Sequence, residues 1–300
     1  MTKKIYENVD QLPDGTASDI ITEGCIVLEG GAFRGLYTRG VLDAFMLNDI
    51  NFRSTIGTSA GAMAGLNYVA GNIGRMARFN LTYRHDPSYV GIKPFIKTHS
   101  IINLDRCLKD YNTVEPLNTA RFYNPDTRFT AVCTECSTGK TLYFEKDKCS
   151  NMIDAVRASA SMPFVSKMIN VDGHYCLDGG ASCKIAYQWA IDQQYSKIVV
   201  VRTRDNAYRK KTEERNIARK VYRKYPEFAE SLDKSNGSYN RQCDEIEKLE
   251  KEGRIFVISP SQKVTVSRLE SNMDKLADLY WLGFNDALAS IGRLKEYLSK

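Results

Sequence analysis

Residues 51–70 read NFRSTIGTSAGAMAGLNYVA and place one serine, Ser59, between Gly57 and Gly61. The β-branched residues before Gly57 predict a short buried strand, and the small residues after Ser59 predict a tightly packed helix. A serine at such a strand-to-helix turn is typical of a nucleophile elbow, in which flanking glycines avoid a Cβ clash. The dipole of the following helix favours negative charge at the hydroxyl. The same pattern also fits a tight turn with an idle serine.

A glycine-rich loop stands upstream of this turn, after an apolar strand-like segment at residues 25–28 and before a helical pattern. The loop residues that we single out are Gly30, Gly31, Ala32, Arg34 and Gly35. Successive backbone N–H groups in such a loop can bind an oxyanion or a phosphate. A P-loop requires Lys-Ser or Lys-Thr after its last glycine, and a dinucleotide-binding loop requires glycine where Ala32 stands. These mismatches favour an oxyanion hole, formed by the N–H groups of Gly31, Ala32 and Ala60.

A third motif, Asp178-Gly179-Gly180, follows an apolar, hairpin-like stretch at residues 168–177. An aspartate at the end of a strand can lie against a serine at the end of a neighbouring strand. Taken alone, Asp-Gly-Gly is an ordinary turn signal.

In this order, the Gly-Gly-Ala-Phe-Arg-Gly, Gly-Thr-Ser-Ala-Gly and Asp-Gly-Gly motifs resemble those of the patatin-like phospholipase family. The resemblance extends from about residue 25 to residue 204 and includes the segments 134–144 and 158–163. The tail from 239 to 260 is similar to an accessory segment of a bacterial subgroup. The resemblance implies an α/β three-layer sandwich with a mainly parallel central sheet and a helical C-terminal segment. It also implies a cofactor-free serine–aspartate dyad that hydrolyses acyl esters of lipids, with Ser59 as nucleophile and Asp178 as the proton acceptor.

Two departures from the family pattern keep an alternative open. The third loop glycine is replaced by Ala32, which a positive φ would strain. After Gly180 the chain continues through Ala181 to Lys184 instead of the frequent proline, and the sequence assigns no role to Lys184. The alternative is a lipid- or acyl-binding protein of the same fold with weak catalysis.

Histidine and cysteine patterns argue against other site chemistries. His174 precedes Asp178 by four residues, which an extended strand separates by about 13 Å, so a Ser–His–Asp triad is disfavoured. His85 and His99 fit solvent loops. Cys133 and Cys136 form a Cys-x-x-Cys pair without a second pair or spaced histidines, so neither structural zinc nor a redox pair is expected. Eight dispersed cysteines fit thiols in a reducing compartment.

Composition bounds the organisation of the chain. With 300 residues and 43% apolar residues, it can bury one α/β core with a helical tail. We expect an N-terminal extension at 1–22, a catalytic core at 23–204 and a basic, helical accessory segment at 205–300. An apolar stripe at 276–298 predicts core packing, with a lid or dimer face as the alternative. Residues 85–126 are expected to wall a hydrophobic groove beside the site.

Charge and hydropathy indicate where the protein works. No apolar signal-peptide region and no 18-residue apolar run are found, which predicts a cytoplasmic protein that reaches a membrane from its surface. The net charge is +6, and basic residues concentrate at 202–224, including Arg215, with Glu213 and Glu214 diluting them. This segment fits an anionic lipid surface or a solvated helix face, whereas no nucleic-acid-binding motif accompanies it. The expected partner is a lipid or acyl-ester substrate, with peripheral contact to an anionic membrane and no nucleic acid.

Overall fold

The computed structural model describes residues 4–212 and 217–300. Its strands are β1 Gly15–Thr16, β2 Thr22–Leu28, β3 Phe52–Thr58, β4 Asn72–Ile73, β5 Arg128–Glu135, β6 Thr141–Glu145, β7 Ile169–Val171, β8 His174–Asp178, β9 Ile198–Val201 and β10 Phe256–Ile258. Its helices are α1 Gly35–Met46, α2 Ala60–Val69, α3 Arg75–Tyr83, α4 Ile92–Thr98, α5 Asp105–Leu108, α6 Thr119–Phe122, α7 Met152–Ser159, α8 Tyr187–Asp192, α9 Ile217–Val221, α10 Pro226–Lys251 and α11 Met273–Ser299.

A central sheet organises the fold. Its strand order is β10-β9-β2-β3-β5-β8-β7, and β6 pairs with β5. The pairs from β10 across to β5 are parallel, whereas β5 pairs antiparallel with β6 and β8, and β7 pairs antiparallel with β8. The predicted α/β class and mainly parallel sheet are confirmed. β5 and β6 form the hairpin predicted at 134–144, and β7 and β8 form the one predicted at 168–177.

Helices cover both faces of the sheet. Alternate residues of a strand point to opposite faces, and β2 shows this in its packing. Ile26 and Leu28 belong to a core cluster with α1, α2 and α11, whereas Cys25 and Val27 belong to a cluster with α8 and α10. All four are fully buried, as is typical of a parallel strand covered on both sides. The three layers expected from the sequence are therefore present.

The C-terminal part of the chain is built into this core. β10 extends the sheet by pairing with β9, and α11 packs along α1. Leu276, Leu279 and Leu294 of the apolar stripe are buried, as the predicted core packing requires, whereas Leu288 of the same stripe is exposed. The two helices can approach closely because Gly40 of α1 has no side chain. A Cβ at this position would lie 2.0 Å from the Tyr280 carbonyl oxygen.

Substitution at this helix contact provides a test of the fold. A Cβ on Gly283 would lie 2.1 Å from the Tyr37 carbonyl oxygen, so Gly283→Ala forces the helices apart. We expect it to lower the free energy of unfolding by about 2–3 kcal/mol in urea titrations. Gly292→Ala, in the same helix with nothing within 4 Å, is the control and should raise that free energy by up to about 1 kcal/mol. Equal effects of the two substitutions would contradict the α1–α11 packing.

Candidate active site

Ser59 occupies the turn between β3 and α2. β3 ends at Thr58 and α2 begins at Ala60, so the serine hydroxyl stands at the N-terminus of a ten-residue helix. The Ser59 backbone has φ 57° and ψ −122°, a conformation that side chains with a Cβ rarely adopt. Such strain, at a serine between a strand and a helix, is typical of a nucleophile elbow.

The two glycines of the elbow are required by close approach of the backbone. A Cβ on Gly61 would lie 2.3 Å from the Leu28 carbonyl oxygen, and one on Gly57 would lie 2.4 Å from the Gly61 carbonyl carbon. Neither glycine has the positive φ that Ser59 itself adopts. The glycines therefore let α2 start directly against β2 and β3, which fixes the position of the serine.

Ser159, the last residue of α7, holds the backbone of the elbow. Its buried hydroxyl accepts a hydrogen bond from the Ser59 N–H at 2.8 Å and donates one to the Val132 carbonyl oxygen at 2.5 Å. Sequence reasoning did not assign this role, although Ser159 lies in the segment 158–163 that carried part of the family resemblance. The bond ties the strained turn to β5.

The register of β5 brings Asp178 to Ser59. Thr58, the last residue of β3, pairs with Val132, and Asp178, the last residue of β8, pairs with Cys133. Because β6 occupies the opposite edge of β5 over these residues, β3 and β8 share one edge and end next to each other. The Ser59 Oγ consequently donates a hydrogen bond of 2.6 Å to Asp178 Oδ2.

The Asp178 carboxylate is buried and fully engaged. Its Oδ1 accepts a hydrogen bond from the Gly180 N–H at 2.7 Å, while Oδ2 accepts from Ser59. Burial raises the pKa of Asp178, and the hydrogen bonds from Ser59 and Gly180 and the charges of Arg268 and Lys184 oppose that rise. Gly179 is needed because a Cβ there would lie 2.2 Å from the Val132 carbonyl oxygen. The result is a carboxylate with more proton affinity than an exposed aspartate.

The glycine-rich loop lies on the other side of Ser59. A Cβ on Gly30 would lie 3.0 Å from the Ser59 Cβ, and Gly31 and Ala32 line the same cavity as Ser59 and Asp178. Gly35 is the first residue of α1 and contacts α2, where an added Cβ would lie 2.8 Å from that of Ala60. Within residues 4–212 and 217–300, the Gly31 N–H donates no hydrogen bond to another backbone group.

Ala32 adopts the conformation that its glycine-like position demands. Its φ is 50°, a left-handed conformation that is strained for alanine. Arg34 lies two residues after Ala32 and is 6% exposed. Its buried Nε has no hydrogen-bond partner in the described parts of the chain.

Histidines lie away from these groups. His174 Nδ1 contacts Glu135 Oε1 at 2.6 Å at the far end of β8, and His85 Nε2 contacts the Ser271 carbonyl oxygen at 2.8 Å. His99 ends α4. Within the described residues, no group of three or more His, Cys, Asp or Glu could hold a metal ion, and the eight cysteines are unpaired.

Two cavities meet at Ser59. The smaller, of about 40 Å³, is mainly apolar and includes Tyr89, Ile102 and Leu104 from the segment predicted to wall a groove. Its wall also includes the polar residues Arg39 and Asn80. Other apolar residues of that segment, Ile92, Phe95 and Ile96, are instead exposed on α4.

The larger cavity, of about 290 Å³, contains Asp178 and four cationic side chains: Arg34, Lys184, Lys210 and Arg268. Sequence reasoning named Arg34 and Lys184 without a firm role, included Lys210 only in the basic segment 202–224, and did not name Arg268. Burial and the charge of Arg268 lower the pKa of Lys184 to about 8. Burial and the charges of Lys184 and Arg268 also lower the pKa of Lys210. The basic segment marks Lys210 but not its approach to Ser59, and no local signal marks Arg268, because both reach the cavity through tertiary packing.

The other basic residues of 202–224 serve different purposes. Arg202 is fully buried beside Glu247, and Arg209 forms ion pairs with Asp244 and Glu247 of α10. Arg219, Lys220, Arg223 and Lys224 are exposed. Arg215, Glu213 and Glu214 lie outside the described residues. The described basic residues therefore do not form one continuous face.

Comparison with known proteins gives the family. Residues 26–186, more than half of the chain, match the family model described as Patatin-like phospholipase, and the chain belongs to this family. Residues 225–299 match a second model, described as a domain of unknown function (DUF6363). The motifs around Ser59 and Asp178 all lie within the first match.

Individual relatives cover parts of the chain. The uncharacterized protein YjjU of Escherichia coli is 30% identical over 183 residues, which are 59% of this chain and 51% of YjjU. An uncharacterized NTE family protein of Mycobacterium tuberculosis is 26% identical over 156 residues, which are 52% of this chain and 42% of that protein. The chain thus spans about half the length of the curated relatives it matches.

One solved structure also aligns with the chain. The crystal structure of VipD from Legionella pneumophila covers 94% of this chain and 68% of its own, with 14% identity and a TM-score of 0.49. Across residues 4–212 and 217–300, no helix combines the length and apolar character needed to cross a bilayer.

The contact between Ser159 and the elbow is testable as a positioning role. In Ser159→Ala, the Ser59 N–H and the Val132 carbonyl lose their partner, which costs about 1–3 kcal/mol when such groups are buried. If Ser59 is the nucleophile of an ester hydrolase, as the family resemblance implies, we expect kcat to fall at least about tenfold with little change in KM, because its hydroxyl is displaced. Ser161→Ala is the control, because Ser161 lies two residues after Ser159 and its hydroxyl donates to the Arg157 carbonyl oxygen instead of contacting the elbow. Equal kcat values for the two variants would exclude this role.

Proposed function

We propose that this protein is a serine acyl hydrolase that cleaves carboxylic esters of lipids through a Ser59–Asp178 dyad. The observation that carries the proposal is the 2.6 Å hydrogen bond from Ser59 Oγ to Asp178 Oδ2 at a strained elbow. Membership of the patatin-like phospholipase family supports hydrolysis of lipid esters in general. The division into an N-terminal extension, a core ending near residue 204 and an accessory segment remains part of this proposal.

In the proposed reaction, Ser59 Oγ attacks the ester carbonyl carbon while its proton passes to Asp178 Oδ2. The oxygen of the tetrahedral intermediate accepts hydrogen bonds from the N–H groups of Gly31, Ala32 and Ala60. The C–O bond to the alcohol then breaks, and the alcohol leaves with the proton from Asp178. Water hydrolyses the acyl–serine ester by the same route, and its proton returns through Asp178 to Ser59.

The two cavities support a division of the substrate. The apolar cavity suits the first carbons of the acyl chain, and its methionine lining, Met63, Met76 and Met162, can adapt to longer chains. The larger cavity suits the alcohol part of the ester. The raised pKa of Asp178 supports its role as a base, because a carboxylate with greater proton affinity removes the serine proton more effectively.

Peripheral contact with an anionic membrane is a further part of the proposal. Ile92, Phe95 and Ile96 are exposed on α4, and Lys93 and Lys97 are interspersed with them. Val165, which lines the larger cavity, accepts a hydrogen bond from the Ile101 N–H just after this helix. Apolar side chains between lysines are typical of surfaces that lie in a lipid headgroup region.

Substitution of the dyad tests the mechanism directly. Ser59→Ala and Asp178→Asn should each lower kcat/KM for p-nitrophenyl esters at least about a hundredfold, because nucleophile or base is lost. A fluorophosphonate should label the wild type and not Ser59→Ala. His174→Ala is the control and should retain activity within about twofold, since its contact is with Glu135. A folded Asp178→Asn protein with full activity would rule out the dyad. If the wild type binds lipid but shows neither turnover nor fluorophosphonate labelling, the binding-protein alternative is favoured.

The burial of Asp178 also predicts the pH dependence of stability. Its pKa is raised from 3.8, so above pH 3.8 the folded state binds more protons at this site than the unfolded chain. The free energy of unfolding therefore falls as pH rises through the window between the two pKa values, and stays lower above it. Asp178→Asn removes this effect, so the variant should match the wild type near pH 4 and melt at a higher temperature at pH 8.

An aspartate of opposite character provides the control for this measurement. The pKa of the exposed Asp172 is lowered, mainly by the hydrogen bond from the Ser150 hydroxyl. Asp172→Asn should therefore show no gain in relative stability as pH rises. A melting-temperature difference for Asp178→Asn that is constant with pH would contradict the buried, proton-holding carboxylate.

A further inference from the structure

The larger cavity brings together cations from distant parts of the sequence. Arg34 belongs to the glycine-rich loop, and Lys184 follows the Asp-Gly-Gly motif. Lys210 and Arg268 lie beyond residues 26–186, which match the family. All four line the cavity that contains Ser59 and Asp178.

These cations lack carboxylate partners. Within the described residues, none of the four forms an ion pair, and Arg34 is 6% exposed with no hydrogen bond to its guanidinium. Lys184 Nζ donates to the carbonyl oxygens of Gly180 and Ser235 at 2.6 and 3.1 Å. Lys210 Nζ lies 4.5 Å from the centre of the Tyr239 ring. By contrast, the neighbouring Arg209 is paired with two carboxylates.

The carboxylates near the cavity are already engaged. Asp178 accepts hydrogen bonds from Ser59 and Gly180, and the buried Glu29 accepts one from the Thr203 N–H at 2.6 Å. Four clustered cations therefore face two nearby carboxylates, Asp178 and Glu29, and a multiply charged anion would offset the remaining repulsion. Burial and, after it, repulsion by the other cations lower the pKa values of Lys184 and Lys210.

The two cations from the C-terminal part are held in place by specific contacts. The Lys210 N–H donates to Asn240 Oδ1 at 2.8 Å, and Asn240 Nδ2 donates to the Lys210 carbonyl oxygen at 2.9 Å. The Arg268 carbonyl oxygen accepts from the Phe33 N–H at 3.3 Å, and Arg84 Nη2 donates to the adjacent Leu269 carbonyl oxygen at 2.7 Å. Positions fixed in this way are typical of a built binding site.

We propose that this cavity binds a phosphate monoester on the alcohol part of the substrate, so that the enzyme selects acyl esters of phosphorylated alcohols. This inference rests on the proposed hydrolase function. A cage for a quaternary ammonium needs several aromatic or acidic side chains. Among the described residues that line this cavity, Phe164 is the one aromatic side chain and Asp178 the one acidic side chain, so they do not form such a cage. A dianionic phosphate therefore fits better than a zwitterionic headgroup. The segment that includes the domain of unknown function would supply half of the selecting charges.

Hydrolysis of matched substrates tests this selection. For wild type, kcat/KM for a monoacylglycerol 3-phosphate should exceed that for the uncharged monoacylglycerol of the same chain at least about tenfold, with both below their aggregation concentrations. The lysophosphatidylcholine of that chain should resemble the uncharged ester. In the double variant Lys210→Gln/Arg268→Gln, the ratio of the phosphate ester to the uncharged ester should fall at least about tenfold. Lys211→Gln removes an adjacent exposed charge outside the cavity and should leave the ratio unchanged.

The outcomes separate this inference from the proposed function. If Ser59-dependent hydrolysis is found with equal kcat/KM for charged and uncharged esters, the phosphate subsite is wrong and the hydrolase stands. If neither ester is cleaved and no fluorophosphonate labelling occurs, both the hydrolase and the substrate assignment fail.

Direct binding distinguishes a substrate headgroup from free phosphate. Calorimetry on Ser59→Ala should show glycerol 3-phosphate and the monoacylglycerol 3-phosphate binding, with both weakened about tenfold when Lys210 and Arg268 are also replaced by Gln. Inorganic phosphate should bind more weakly than the acylated compound, because it makes no contact with the apolar cavity. If inorganic phosphate binds as tightly as the acylated compound, the assignment to a substrate headgroup is overturned in favour of a free-phosphate site.

Discussion

One edge of strand β5 determines where the reactive groups lie. β3 runs parallel to β5 and β8 runs antiparallel to it, so their carboxyl ends converge on the neighbouring positions Val132 and Cys133. The backbone hydrogen bonds of the sheet hold both ends, so the 2.6 Å contact between Ser59 and Asp178 does not depend on flexible loops. A shift of either strand by one pair would point its terminal side chain to the opposite face and separate the two groups.

This arrangement stores strain that the surrounding packing must offset. Ser59 and Ala32 both have positive φ, and Asp178 carries its charge in a buried position. The backbone of α2 fits against β2 because Gly61 has no Cβ, and Ser159 holds the Ser59 N–H from the side of β5. The buried layers on both faces of the sheet keep these contacts from relaxing. The strained backbone and the buried charge are locally unfavourable, but they hold the Ser59 hydroxyl, the Asp178 carboxylate and the loop N–H groups in fixed relative positions.

The sequence predicted those parts of the fold and site that short segments encode. Apolar runs and glycine turns located β2, β3, α2 and the hairpin ending at Asp178, because each signal is contained in about ten residues. The loop motif also indicated that a positive φ at Ala32 would be strained, and Ala32 has a φ of 50°. Lys210 and Arg268 could not be located this way, since their approach to Ser59 depends on α10 and on the chain before α11 packing against the core. For the same reason, Ile92 and Ile96 proved exposed although their apolar character matched the buried Tyr89.

The two cavities are lined by different parts of the chain. The apolar cavity is lined from Ala32 to Met162, within the region that matches the family. The cationic cavity shares Ser59 and Asp178 with the core but receives Lys210 and Arg268 from beyond residue 186. α11 and β10 anchor that later part in the common core, and two of its cations line the cavity that contains the serine. Changes in the C-terminal part can therefore alter the cationic wall of this cavity without moving Ser59 or Asp178, because the sheet edge, α2 and Ser159 hold those two residues.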